Sequence, residues 1–197
     1  QALASASHIR QLVHTQGIKA ASPFVPQAAM ELYCQAAEQG QLADPEKFST
    51  AVLTLLRTKT PEQLRTLRGA GEGLENRLYT AAREAESVND LYTRLKTKRY
   101  PTARLRRLVL DAVLDVPAAG LPALPPYLLV LGAKRSALPL LKHAKIPAGT
   151  SLAGLAGQNQ KLQIAADMHS KAVDFSLLCR YKIQPMGLAY TAHVVLL

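Results

Sequence analysis

Between Val116 and Pro126 the chain carries Pro117, Gly120, Pro122, Pro125 and Pro126, a stretch that neither a helix interior nor a central strand accepts. Proline has no backbone N–H to donate, and its ring collides with the preceding turn. Any regular structure upstream must therefore end near Val116, and anything downstream must start afresh.

Upstream, helix-start signals recur. Ser5 and Ser7 precede Ile9, Leu12 and Val13, and Gly17 with Ser22-Pro23 and Val25-Pro26 then breaks the pattern. Ala28, Ala29, Leu32, Tyr33 and Ala36 predict a helix from Gln27 to about Gln39, and Asp44-Pro45-Glu46 opens another through Leu56. Thr60-Pro61-Glu62 starts a short helix to Leu67, which runs into Gly69, Gly71 and Gly73. Leu74, Leu78, Ala81 and Ala82 mark a helix to Ala85, and Ser87 caps one carrying Leu91 and Leu95. Pro101 opens the last of the series, with Leu105, Leu108, Val109, Ala112 and Val113 at helical spacing.

Downstream, Tyr127 to Leu131 is a continuous apolar run before Gly132, the pattern of a strand buried on both faces. A helix over Ser136–His143 and an apolar segment near Ile146–Leu152 complete a strand-helix-strand unit, and a long helical pattern covers Leu162 to about Tyr181. The expected fold is mainly α: a helical bundle with a small α/β (strand-helix-strand) element at its C-terminal end.

Hydrophobic residues make up 48% and charged residues 19% of the chain, which excludes a disordered protein and allows a real core. The net charge of +10 points to polyanionic partners, nucleic acid or an acidic membrane surface. Cys34 and Cys179 show no zinc-site spacing, and none of His8, His14, His143, His169 and His193 stands in a metal or HxGH pattern. No metal site and no catalytic residue is assigned. There is no signal-peptide pattern and no apolar stretch of the roughly 18 residues that span a bilayer. A cytoplasmic protein without a membrane partner is expected.

The charge is concentrated. Arg94 to Arg107 holds seven basic side chains and no acidic one, with Tyr100-Pro101 in the middle. A basic run beside an aromatic is what a phosphate backbone and an unstacked base require. Arg104, Arg107 and Asp111 project from neighbouring turns of the following helix, while Arg106 points elsewhere. On charge alone the run serves equally as a solvated cationic loop. The glycines at 69, 71 and 73 follow a helix and lack a lysine-serine or lysine-threonine pair, so they read as a turn and not as a phosphate loop.

Glu72 to Arg77 (EGLENR), Leu95 to Arg107 and Tyr127 to Leu131 with Gly132 resemble the C-terminal half of the tRNA(Met) cytidine acetate ligase family, a branch of the HIGH-type nucleotidyltransferases. Ser5-Ala6-Ser7-His8-Ile9-Arg10 resembles the SxTxIR stretch that closes the nucleotidyltransferase fold. The resemblance implies an ATP-dependent ligase that makes an acetyl-adenylate and passes the acetyl group to N4 of the wobble cytidine of elongator tRNA(Met). It implies ATP as cofactor, held mainly by an upstream nucleotidyltransferase domain bearing the HxGH motif, and allows for a magnesium ion. HxGH does not occur in these residues, so the chain alone is expected to be inactive and to serve as the tRNA-binding part.

On that resemblance the chain divides into 1–16, the remnant edge of the nucleotidyltransferase domain; 17–116, a helical domain with the basic segment; and 117–197, a small C-terminal α/β subdomain. Ser7 and Arg10 are the candidate nucleotide-binding residues, Ser7 serving equally as a helix cap. Lys96, Lys98, Arg99, Tyr100, Arg104, Arg106 and Arg107 are the candidate tRNA-binding residues. Glu75, Asn76 and Arg77 are candidate supports: either they form an exposed, salt-linked helix turn, or Asn76 and Arg77 pair with the basic segment or with a ribose-phosphate. The competing class is an α-helical protein-interaction module with incidental basic charge.

Overall fold

Helix starts are fixed locally by side-chain caps. The computed structural model describes residues 4–120, 122 and 124–197. Ser5 Oγ accepts from the His8 N–H at the head of α1 (Ala6–Gln16), which packs on a 3-10 segment, Ile18–Phe24, followed by α2 (Gln27–Glu38). Asp44 accepts from the N–H groups of Glu46 and Lys47 to start α3 (Pro45–Arg57). Thr60 and Gln63 form a reciprocal capping box on α4 (Pro61–Arg65), and Ser87 caps α6 (Val88–Leu95). Each such cap satisfies amide donors that the first helical turn leaves free, and is worth about 1 kcal/mol. Between them, α5 (Leu74–Glu84) begins after Gly73. The last helix of the series, α7 (Thr102–Leu114), follows Pro101, whose fixed φ of −60° leads the backbone into the first turn.

The apolar faces of α3 to α7 converge on one core in which Val52, Leu56, Leu74, Leu78, Leu91, Leu95, Leu105 and Val109 are all but sealed from water. Burial of each such leucine is worth about 2 kcal/mol. This core fixes the basic segment in space, because Leu95 and Leu105 anchor it at both ends.

Beyond the proline-rich stretch the structure departs from the sequence expectation. The run Tyr127–Leu131 is not a strand buried on both faces: β1 is Leu128–Leu129 alone, and Leu128 and Leu131 are 48% and 70% exposed. β1 pairs in parallel with β3 (Ala148–Gly149), and β2 (Gly132–Ala133) pairs in parallel with β4 (Val195–Leu196). Tyr127 and Leu129 pack on a small core of their own, while Leu128, on the other face of the strand, and Leu131 meet solvent. Residues Arg135–His143 form a 3-10 segment containing Pro139, which has no N–H for an α-helical ladder. α8 (Leu152–Ala156), α9 (Gln160–Leu178) and α10 (Leu188–Thr191) bury Leu152, Ala156, Ala166 and Ala189 in a second, smaller core. Of these, α9 also packs on α3 and α7.

Candidate nucleic-acid interface

The turn from α6 to α7, residues 96–101, carries the centre of the basic run, and its shape is imposed by α5. Arg77 reaches across from α5 and donates to three consecutive carbonyls, those of Arg94 (2.6 Å), Leu95 (3.1 Å) and Lys96 (3.2 Å). The last carbonyls of α6 lack intrahelical partners and sit at the negative end of its dipole, so a guanidinium is the natural cap. Arg77 therefore pairs with the backbone of the basic segment. Asn76 instead accepts from Arg65 at 3.3 Å. Glu75, buried, faces Arg65 at 3.6 Å and accepts from the Gly71 N–H at 3.2 Å. Its own backbone N–H, and then that of Gly71 and the Arg65 charge, hold its carboxyl below the usual range despite burial.

Tyr100 is not the exposed stacking platform that its place in the run suggested. Its ring is 8% exposed and belongs to the bundle core, while its hydroxyl donates to the Glu72 carboxylate at 2.7 Å. A tyrosine preceding proline in an extended turn has an apolar ring to bury and one polar atom to satisfy, and the bundle accommodates both. Glu72 also pairs with Arg99 at 3.2 Å. The guanidiniums of Arg104 and Arg99 lie 4.6 and 5.3 Å from the Tyr100 ring centroid, within cation–π range. Sequence reasoning passed over Glu72 itself, although a glutamate between two glycines was a visible sign of an unusual backbone.

The basic residues thus fall into two sets. Arg94 is committed to Asp90 and Glu84 at 2.8 and 2.7 Å, Arg99 to Glu72, and half-buried Arg104 to the Tyr100 ring. Arg106 is exposed, with its guanidinium 5.5 Å from the Tyr92 ring centroid. Lys96, Lys98 and Arg107 are exposed and form no ion pair among the described residues. On α1, Ser7 and Arg10 are both exposed and are joined by a 3.3 Å hydrogen bond from the guanidinium to Ser7 Oγ. The capping oxygen there is that of Ser5, not Ser7.

A cleft of about 810 Å3 opens where α7, α9 and the proline-rich stretch meet, lined by Leu114, Pro126, Ile164, Met168 and His169. At its edge Arg68 grips Asp111 of α7 through two hydrogen bonds, 2.6 and 2.9 Å. Among the described residues no cluster of three His, Cys, Asp or Glu side chains is placed to hold a metal, and no helix is long and apolar enough to cross a membrane.

Comparison with known proteins assigns this helical frame with its unpaired cations to a class. The model of the HIGH Nucleotidyl Transferase family matches residues 1–186, and the chain belongs to that family, on its tRNA(Met) cytidine acetate ligase branch. A tRNA(Met) cytidine acetate ligase of Caldanaerobacter subterraneus subsp. tengcongensis is 32% identical over 148 residues, covering 72% of this chain and 36% of that protein. The protein of the same name from Acetivibrio thermocellus is 25% identical, covering 99% and 51%. Crystalline Thermotoga maritima TmcAL bound with alpha-thio ATP superposes with a TM-score of 0.87 at 23% identity, covering 99% of this chain and 52% of that one, a likeness of fold. The chain spans between about a third and a half of the length of these relatives. The match begins at residue 1 and runs through the bundle and most of the unit beyond it, which corrects the expectation of a C-terminal portion.

Proposed function

We propose that this chain is the tRNA-binding part of an ATP-dependent ligase that acetylates N4 of the wobble cytidine of elongator tRNA(Met) through an acetyl-adenylate. The observation that carries the reading is the set of exposed, unpaired cations, Lys96 and Lys98 on the turn that Arg77 and the Glu72–Tyr100 pair hold in place and Arg107 on α7 just beyond it. Curated relatives named for that ligase activity supply the substrate class. Arg99, Arg104 and Arg106 extend the surface, and Tyr100 supports it from beneath. Residues 17–116 act as the tRNA-holding domain, with 117–197 as a small subdomain and 1–16 as an edge toward the nucleotide.

Ser7 and Arg10 do not by themselves make an ATP site. A triphosphate needs several converging donors, and these two candidates on α1 are already bonded to each other. ATP, with any magnesium, is therefore assigned mainly to parts of the whole protein outside these residues. Ser7 and Arg10 contribute one hydroxyl and one charged donor to its phosphates. No chemical step is placed on this chain.

The test is fluorescence anisotropy of labelled elongator tRNA(Met) across a range of salt. K96A/K98A/R107A should bind more weakly and flatten the slope of log affinity against log salt by about 2, at roughly 0.7–0.9 for each phosphate no longer neutralised. Binding equal to the parent at every salt concentration would exclude this segment. Equal, weak binding of the parent to tRNA and heparin would favour the protein-interaction module instead, with the cleft beside α9 as its docking surface.

A further inference from the structure

We infer that the C-terminal unit carries a second phosphate-binding surface, formed by Lys134, Arg135, Lys142 and Lys145 around the 3-10 segment Arg135–His143, and that its partner is the backbone of the same RNA. The inference rests on the tRNA-binding reading above and extends it to a part of the fold that reading leaves idle.

The charge is as one-sided here as in the conspicuous run, though sparser. From Val116 to Ala166 the sequence contains no aspartate or glutamate, while Lys134, Arg135, Lys142, Lys145 and Lys161 supply five cations. Sequence reasoning missed it because the cations are spread among prolines and leucines instead of standing side by side. In the structure Lys134, Arg135, Lys142 and Lys145 are all solvent-accessible, and none enters an ion pair among the described residues. In the run at 94–107, by contrast, Arg94 and Arg99 are held by carboxylates. A phosphate approaching Arg99 must compete with Glu72. One approaching Lys142 displaces only water and counterions, so the full counterion-release gain is available.

These cations are on an ordered frame. Lys134 follows β2, the Arg135 N–H donates to the carbonyl of Leu197 at 3.1 Å, and Lys145 lies shortly before β3. Leu138 and Leu141 are half-buried, which turns the apolar side of the segment inward and leaves the cations at its two ends outward. Nine residues of 3-10 helix rise about 18 Å. That length covers several consecutive phosphates of a nucleic-acid strand, which are spaced about 3.4 Å along a duplex axis. Exposed Leu131 and Leu140, 70% and 68% accessible, lie among the same cations and offer an apolar face to unstacked bases. A membrane surface is the poorer partner. Interfacial helices present a long continuous apolar face with aromatic anchors, whereas this segment is short, broken by Pro139, and has no aromatic residue between Leu128 and Ser151 other than His143.

The full chain is titrated into labelled elongator tRNA(Met) across about 50 to about 200 mM salt, with three variants alongside. K134A/R135A/K142A/K145A should keep the parental melting temperature, bind more weakly, and flatten the log-log salt slope by about 3. K134R/K142R/K145R should retain the parental slope, because charge and not lysine chemistry is at issue. If the quadruple variant keeps the parental affinity and slope while K96A/K98A/R107A is weakened, the second surface is overturned and the tRNA-binding reading stands. If the parent binds phosphatidylserine vesicles as tightly as tRNA, both fall.

Discussion

Glu72 has a φ of +55°, in a region where a side chain other than glycine crowds the backbone, and it stands between Gly71 and Gly73, which also have positive φ. Such a conformation persists only where the surroundings hold it, and here the holders are Tyr100 and Arg99. The hydrogen bond from Tyr100, and then the charge of Arg99, lower the Glu72 carboxyl below its ordinary value of 4.5, and the same bond pushes the Tyr100 phenol up. Because the folded value is the lower one, Glu72 contributes stability above pH 4.5 that is lost as pH falls through the folded value. Carboxyl-carbon NMR should therefore find Glu72 titrating below 4.5 in the parent and moving back up in Tyr100→Phe, which removes the largest cause and leaves Arg99. An unchanged midpoint in Tyr100→Phe would refute the clamp. At this scale the sequence was only half legible: the basic residues were plain, but the fate of Tyr100 depended on a carboxylate 28 residues away. Local pattern has no term for such a partner.

Among the elements, a guanidinium from one helix closes the end of another in two places. Arg57 at the end of α3 donates to the carbonyls of Ala82 and Ala85 where α5 stops, at 2.9 and 2.8 Å. Arg77 of α5 does the same where α6 stops. The N-termini were legible because their caps are local: Asp44, Thr60 and Ser87 are each followed within three residues by the amide they satisfy. The C-terminal caps were less so: the family resemblance offered Arg77 as a partner of the basic segment without saying that it meets the backbone, and Arg57, far along the chain from the carbonyls it serves, gave no sign. Arg77→Ala should strip the end of α6 of a charged donor and cost about 1.5–3 kcal/mol in urea unfolding. Arg77→Lys should recover little of it, because a compact ammonium cannot fork across three carbonyls. Hydrogen exchange at residues 96–100 should rise in both variants. If only global stability falls and that turn keeps its protection, Arg77 is a packing residue and the rigidity of the basic turn has another source.

Across the whole molecule, the bundle and the C-terminal unit are joined through α9, and one carboxylate stands at the join. Asp115 ends α7 with a φ of +56° and is held by Lys59, from the turn after α3, and by Lys171 of α9 at 2.5 Å. Partial burial raises its pKa, but the hydrogen bonds from Lys171 and Lys59 outweigh that and keep it below the ordinary 3.8. The stability Asp115 contributes is thus present above pH 3.8 and fades as pH falls through the lower folded value. Asp115→Asn isolates the charge, since asparagine tolerates the left-handed backbone about as well as aspartate. In that variant amide protection along α9 should fall at neutral pH, while the core around Leu78 and Leu91, both fully buried, keeps its own. Acidifying the parent should weaken protection along α9 as well, on top of what the bundle loses as Glu72 is protonated, and acidifying the variant should add little along α9 itself. Uniform loss of protection across both cores would mean instead that the two units unfold as one, and that α9 belongs to the bundle as firmly as α7 does.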